Sequence, residues 1–379
     1  MAAPSAPLLR RGRSLRPLIV VAVVVAVVAG AVLVRGYDAR DIPPLETAVW
    51  VTRANGQYAR VNTELAAIDT VRAVSDPVGI VQSGSSAMIL SQGYSQAWPI
   101  DPAYPTDLDE GNGGGPSPSQ TPAGTTSVQS AGAYVVYLTS LGEAHLGTYP
   151  TPGASATGAR HLDPFAHADE DEEQRYVASA VALDASGLVV MYSAQEQAVR
   201  RYDATRGAFL GDPEPVPAAP DADAALSLVD GRWVLYAASD GLLWFQGADA
   251  PLVIGAEAGS VLQANASTDG TVYVADGAGL IAVTLADGAA VRVAQASGTP
   301  AAPITVDGVA YAAWLSQAQA SLWSSSSPAP ATLVLPGGAL DNVQNVRPVF
   351  HTNGARAVLS EVSTGLVWTV PAGTLVPLE

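Results

Sequence analysis

Cysteine and lysine are both missing from this 379-residue chain; all 18 of its basic residues are arginine. Without cysteine there is no thiol nucleophile, no thiolate-held zinc or iron–sulfur cluster, no covalent haem attachment and no disulfide. Without lysine there is no phosphate-loop lysine, Schiff-base amine or Ser-x-x-Lys acylation centre. Histidine is scarce, at four residues. Positive charge is scarce too: 35 carboxylates against 18 arginines leave a formal net charge of −17. Nucleic-acid binding needs a basic footprint, so that partner class is excluded. These absences favour binding over catalysis.

Long apolar runs are equally rare. The single one stretches from Leu18 to Val34 and follows Arg10, Arg11, Arg13 and Arg16. At about 1.5 Å of rise per residue it reaches the short limit of a helix spanning a ~30 Å hydrocarbon core. Valine is a modest helix former in water, but in lipid the backbone must bond to itself, so the run is expected to be helical there. The arginine asymmetry puts the N-terminus in the cytoplasm. A cleaved signal peptide is the rival reading, resting on Ala29-Gly30-Ala31, although the apolar run continues past that site. The expected layout is a basic tail over 1–16, a transmembrane signal anchor over 17–35, a linker over 36–45 and an exported domain over 46–379. With four arginines left inside, the exported part carries −21. That sign keeps a large surface soluble.

The exported part reads as strands. Short β-branched or aromatic runs are separated by Asn-Gly and Asp-Gly pairs at 55–56, 230–231, 240–241, 269–270, 287–288, 307–308 and 353–354. Such pairs mark hairpins, because type I′ turns need positive φ at both central residues. The segments align into one repeated four-strand unit. It is clearest in Ala225–Val229, Arg232–Ser239 and Leu242–Phe245. It recurs from Ser260 (with Thr271, Leu280 and Ala290 opening later strands) and from Ala302 (with Val309, Ala320 and Thr332). Weaker copies begin near Val78, Thr126, Val177 and Asn345. The stretch from Ala48 resembles a unit without its first strand. Units of roughly 35–50 residues indicate an all-β propeller of seven or eight four-stranded blades, eight favoured. A β-sandwich array needs units nearer 100 residues. A ring must close, so Ala48–Thr52 is expected beside the last unit. Thr63–Val74 has a second reading as a short helix, with Leu65, Ile68 and Val71 on one face.

Two interruptions stand out: a Gly/Pro/Ser-rich insertion over 110–126 and a loop over 150–174 holding the acid run Asp169–Glu173. Both are expected to rise from one rim and to pack no core.

Three patches carry a family resemblance: Ala48-Val-Trp-Val-Thr52 with Arg60-Val-Asn62, Asp307-Gly-Val-Ala-Tyr-Ala-Ala-Trp314, and Val349-Phe350 with Asn353–Ser360 and Ser363–Trp368. In these the chain resembles the N-terminal, propeller-like region of large actinobacterial membrane-anchored surface proteins that continue into fibronectin type III or Ig-like repeats. The resemblance implies a non-catalytic role at the cell surface and offers no active site to transfer. Family members carry cysteines near the equivalents of Val309 and Trp323 and continue past the last propeller unit. Here there is no cysteine and the sequence ends at Glu379, which implies a reduced member or a longer natural protein.

Candidate chemistry is thin. His161 and His167, with Asp163 and Asp169, have the donor types for a divalent cation. Two histidines six apart in a proline-containing loop are not preset on one face, so a solvated acidic loop is the simpler reading. Contiguous carboxylates also lack the alternating ligands of a calcium loop. Gly111–Gly115 is followed by Pro-Ser-Pro rather than a helix, so it is a linker and not a dinucleotide fingerprint. Of the seven tryptophans, at 50, 98, 233, 244, 314, 323 and 368, several sit at matching places in the units, and they are expected in the core; a quinone-stacking tryptophan at the axis is the alternative. No catalytic, cofactor-binding or metal-binding residue is assigned. The expected role is an envelope scaffold fixed to the cytoplasmic membrane and binding a protein or wall glycan. An exported propeller enzyme, a lactonase-like hydrolase or quinoprotein-type dehydrogenase, is the alternative. It predicts acids, Asn or His converging on the innermost strands around an axial metal or cofactor.

Overall fold

The computed structural model describes residues 48–108, 117–150, 153–166, 175–218, 220 and 224–377. The expected tail, anchor and linker lie outside these residues, as do Gly111–Gly115, His167 and Asp169. Among the described residues there is no helix, and so none long and apolar enough to cross a membrane.

Eight antiparallel sheets follow one another along the chain. Blade 1 holds Ala48–Arg53, Gln57–Asn62 and Ala67–Ala73. Blade 2 holds Pro77–Ser83, Ser86–Ser91, Gln96–Pro99 and Ser119–Gln120. Blade 3 holds Thr125–Ala131, Tyr134–Thr139, Ala144–Thr148 and Arg160–His161, and blade 4 opens with Ala180–Leu183 and Leu188–Ser193. Blades 5 to 7 begin at Ala225, Val261 and Thr299; blade 8 runs through Pro348–Thr352, Ala357–Glu361 and Leu366–Val370. In blade 8 the bridge from Trp368 to Leu375 supplies a rudimentary fourth strand.

Closure is recorded in the packing. Eight apolar clusters of buried residues occupy the eight junctions between neighbouring blades, including blade 8 against blade 1. Alternate residues of a strand serve opposite junctions, since side chains alternate across a strand. Val272 and Val274 pack toward blade 5, whereas Tyr273 and Ala275 pack toward blade 7. Strands buried on both faces therefore read as continuous apolar runs. All seven tryptophans are buried. Trp244 and Trp368, at equivalent places on third strands, each donate Nε1–H to a carbonyl beyond the preceding blade, Pro217 O at 2.7 Å and Val334 O at 2.8 Å.

Among the described residues blade 1 lacks an innermost strand, and the first strands of blades 8 and 2 meet each other. Gly84 N–H donates to Asn353 O at 2.7 Å across that seam. Ala48–Arg53 packs against both blades, and Ala54 N–H donates to Val362 O at 3.0 Å, which places this segment beside the last unit as ring closure requires.

Several expectations need correction. The helical reading of Thr63–Val74 fails: Ala67–Ala73 is an edge strand paired with Gln57–Asn62, with Asp69 and Val71–Ala73 exposed and Ala67, Ile68 and Thr70 partly buried. The fourth strand of blade 7 is Ser327–Leu333, starting five residues before Thr332. Two segments read as loops contain strands, Ser119–Gln120 and Arg160–His161, and Ser119 is fully buried with its hydroxyl donating to Ala154 O at 2.7 Å. The strands flanking 109–116 are the third and fourth of blade 2, and those flanking 167–174 are the last of blade 3 and the first of blade 4; the two stretches themselves lie outside the described residues. The Asn-Gly and Asp-Gly pairs all fall at or beside turns, but only Asp230-Gly231 and Asp307-Gly308 have positive φ at both residues. At three of the others the Asx side chain makes the turn itself: Asp269 Oδ1 accepts from Thr271 N–H, Asp287 Oδ1 from Ala289 N–H, and Asn353 Oδ1 from the N–H groups of Ala355 and Arg356.

Candidate functional site at the axial mouth

First strands of the blades line the axis, and the hairpins that follow them surround one end. There Gln82, Ser130, Ser186, Asn265, Ser267 and Thr352 border a cavity of about 440 Å³. Further along the axis, Ser127, Gln129, Ser179 and Gln263 line a second space of about 360 Å³. Both linings are hydroxyls, amides and small apolar groups. Asp184 is the one carboxylate bordering the mouth, and its Oδ1 already accepts from Ser186 N–H, Ser186 Oγ–H and Leu188 N–H.

The amides have structural work. Gln82 Nε2 donates to Ala48 O and its Oε1 accepts from Trp50 N–H, both at 3.0 Å. One side chain thus imitates the backbone of the strand that blade 1 lacks. Asn265 does the same between blades 6 and 7, donating to Thr305 O at 2.7 Å and accepting from Thr305 N–H at 2.9 Å. Gln129 reaches Val181 O at 3.1 Å, from blade 3 to blade 4. Buried backbone groups must be paired somewhere, and near the axis the first strands splay apart. Amides carry donor and acceptor on separate atoms, so one side chain can pair a backbone C=O and a backbone N–H side by side.

Among the described residues, titratable groups do not gather at the axis. His351, on the first strand of blade 8, is buried, and burial lowers its imidazole to about 4; Nε2 sits 2.9 Å from Ser360 Oγ. The strongest charged group lies in the hairpin between the second and third strands of blade 6. Fully buried Asp276 accepts from Arg292 Nη1 at 2.8 Å and Nη2 at 2.7 Å, and from the N–H groups of Glu257 and Ala278. Burial pushes its carboxyl up, but these bonds outweigh it and hold the carboxyl down at about 2. Gly279 follows with φ 144°, where a Cβ would overlap the Ala294 carbonyl oxygen. This is a structural knot.

His161 stands opposite His145, on the neighbouring strand of blade 3, while the acid run lies outside the described residues. Asp163 makes a local turn, its Oδ1 accepting from Phe165 N–H at 2.9 Å. His145 is held below its ordinary value by burial and by His161, against the opposing effect of Glu143. Sequence reasoning missed this pair because the residues are sixteen apart and meet only through strand register. No group of three His, Asp or Glu poised for a metal occurs among the described residues.

The fold and its axis define the class: an eight-bladed, all-β propeller. No known family pattern and no curated protein matches the chain. Among solved structures it is similar to the computationally designed Ika8 protein, with a TM-score of 0.51, 12% identity, and coverage of 86% of this chain and 93% of that one. It is also similar to BamB from Moraxella catarrhalis (0.48, 12%, 86% and 93%) and to streptogramin B lyase (0.43, 10%, 86% and 93%). At such identity the likeness concerns the fold alone.

Proposed function

We propose that the chain is a non-catalytic binding module of the cell envelope, held at the cytoplasmic membrane by residues 17–35, with its propeller outside and engaging a partner protein. One observation carries the binding role. Val253, Val291, Val293 and Val334 stand exposed on or just beyond the fourth strands of three consecutive blades, 5 to 7. A fourth strand leaves one edge of N–H and C=O groups unpaired, and such an edge is a template for an added strand. Exposed valines beside it provide apolar contacts. A protein segment fits this wall better than a wall glycan, which has no strand backbone to complete the edge. The axial amides support the same reading, since they are engaged in holding blades together.

The test is photo-cross-linking in cells, with a cross-linkable residue at Val291 or Val293 and, for comparison, at Ser186 in the axial mouth. The expected result is a discrete adduct from the wall positions that is lost on Val253→Asp together with the untouched neighbour Val334→Asp. Both sites are exposed, so these changes leave stability within about 0.5 kcal/mol. Adducts from Ser186 alone, or stoichiometric calcium or quinone bound at the axis, would overturn the proposal in favour of an exported propeller enzyme.

A further inference from the structure

The cross-strand histidines of blade 3 carry a further inference, independent of the binding role. His145 and His161 are directly opposite in the register of strands Ala144–Thr148 and Arg160–His161. Their ring centroids are 5.0 Å apart with planes inclined by 31°. Two imidazoles bound to one ion through Zn–N bonds of ~2.0–2.1 Å place their ring centres about 4.5–5.2 Å apart, for bond angles from square to tetrahedral. The observed spacing already lies in that window.

A second observation points to a ligand. His145 Nε2 is buried and has no hydrogen-bond partner. The nearest charged atom is Glu143 Oε2, 3.6 Å away, too far for a hydrogen bond. Two ligands on one tetrahedral zinc lie about 3.3 Å apart, so this separation nearly matches a ligand edge. Glu143 is meanwhile held from its other oxygen by Arg175. The three groups do not yet converge on one point, so binding requires side-chain movement of His161 and Glu143.

We propose that His145 and His161 form a chelating pair for a borderline divalent cation of the zinc type, with Glu143 as third ligand. Imidazole and carboxylate donors suit such an ion, and a His₂Glu set leaves a fourth position for water. The bound ion fastens the last strand of blade 3, which is paired over only two residues, to the body of the blade. Around it Arg160 stacks on Tyr202 at 5.4 Å and Leu162 is buried, so both flanks of His161 are already anchored.

The test titrates Zn²⁺ into the purified full chain in detergent at pH 7.5, with calorimetry and a competing chromophoric chelator. The expected result is one saturable Zn²⁺ per chain and a melting temperature that rises with free Zn²⁺. Loss of a supporting partner of a metal ligand typically weakens affinity ~10–100-fold, so His145→Ala, His161→Ala and the gentler His161→Asn should each weaken it at least about tenfold. Glu143→Gln should give a smaller loss, with the circular dichroism spectrum unchanged in every variant. His167→Ala should leave binding unchanged. Absence of Zn²⁺ binding, binding indifferent to both histidines of the pair, or a loss with His167→Ala equal to that with His161→Ala would overturn the proposal.

Discussion

Replacing Asp276 by Asn tests the energetic reasoning most directly, because shape is kept and charge is lost. The new Oδ1 still accepts from Ala278 N–H. The amide Nδ2 now meets the Glu257 N–H and Arg292 Nη2, donor against donor, so Arg292 keeps only its bond from Nη1 to Oδ1, and that one without the carboxylate charge. Breaking a buried ion pair from one side costs about 3–5 kcal/mol. The Arg292 side chain is 29% exposed and regains some water, which lowers the expected cost to about 2–3 kcal/mol. The pH dependence gives an independent figure. The Asp276 carboxyl moves from 3.8 to about 2 on folding, worth about 2 kcal/mol. A depressed carboxylate contributes that stability in full above its unfolded value, and loses it as pH falls from about 5 toward 2. Urea unfolding followed by tryptophan emission is the assay, since Trp314 Nε1–H donates to Asp276 O at 2.8 Å and reports on the knot. Wild type should exceed Asp276→Asn by about 2–3 kcal/mol at pH 7, and the gap should close near pH 2. A difference below about 1 kcal/mol at pH 7, or one that does not shrink in acid, refutes the account.

Two further outcomes follow from the same structure. Burial holds His351 at about 4, so the unfolded chain takes up a proton that the folded one refuses; stability is intact above pH 6.5 and declines by up to ~3 kcal/mol as pH falls to about 4. His351→Gln should flatten that slope in a pH series of melting curves, and an unchanged slope would show that the imidazole is not the cause. Gln82→Ala removes the side-chain acceptor of Trp50 N–H and leaves Ala48 O with Asn353 Nδ2 as its remaining side-chain donor, at the seam of the ring. A cost of about 1–3 kcal/mol is expected, with faster hydrogen exchange at Trp50 than in blade 5; equal exchange in both places would mean the amide is dispensable.

Much of the ring was legible beforehand because propeller strands announce themselves. Each is short, apolar and bounded by Asx-Gly turns, and the unit recurs. Blade number, the truncated first unit and the burial of every tryptophan came from that recurrence. The misreadings share a cause. Ala67–Ala73 is an outer edge strand whose exposed face gives no apolar alternation, so a helical reading stood beside the strand one. Ser119–Gln120 and Arg160–His161 pair over two residues each, too few for any periodic signal, and sit inside Gly/Pro-rich or acidic stretches. The axial amides were illegible for another reason. A Gln or Asn in a strand looks like any polar residue until the neighbouring blade supplies an unpaired backbone group for it to meet.

Sequence alone therefore determined the architecture, because burial on both strand faces and sharp turns are local requirements written in consecutive residues. It also determined what chemistry is missing, since an absent side chain stays absent in every fold. Only the tertiary structure decided which residues meet across the ring. Gln82 completing blade 1, Asp276 gripping Arg292, and His145 facing His161 depend on strand register and closure. Those are set by the packing of the whole ring, not by any segment of the chain.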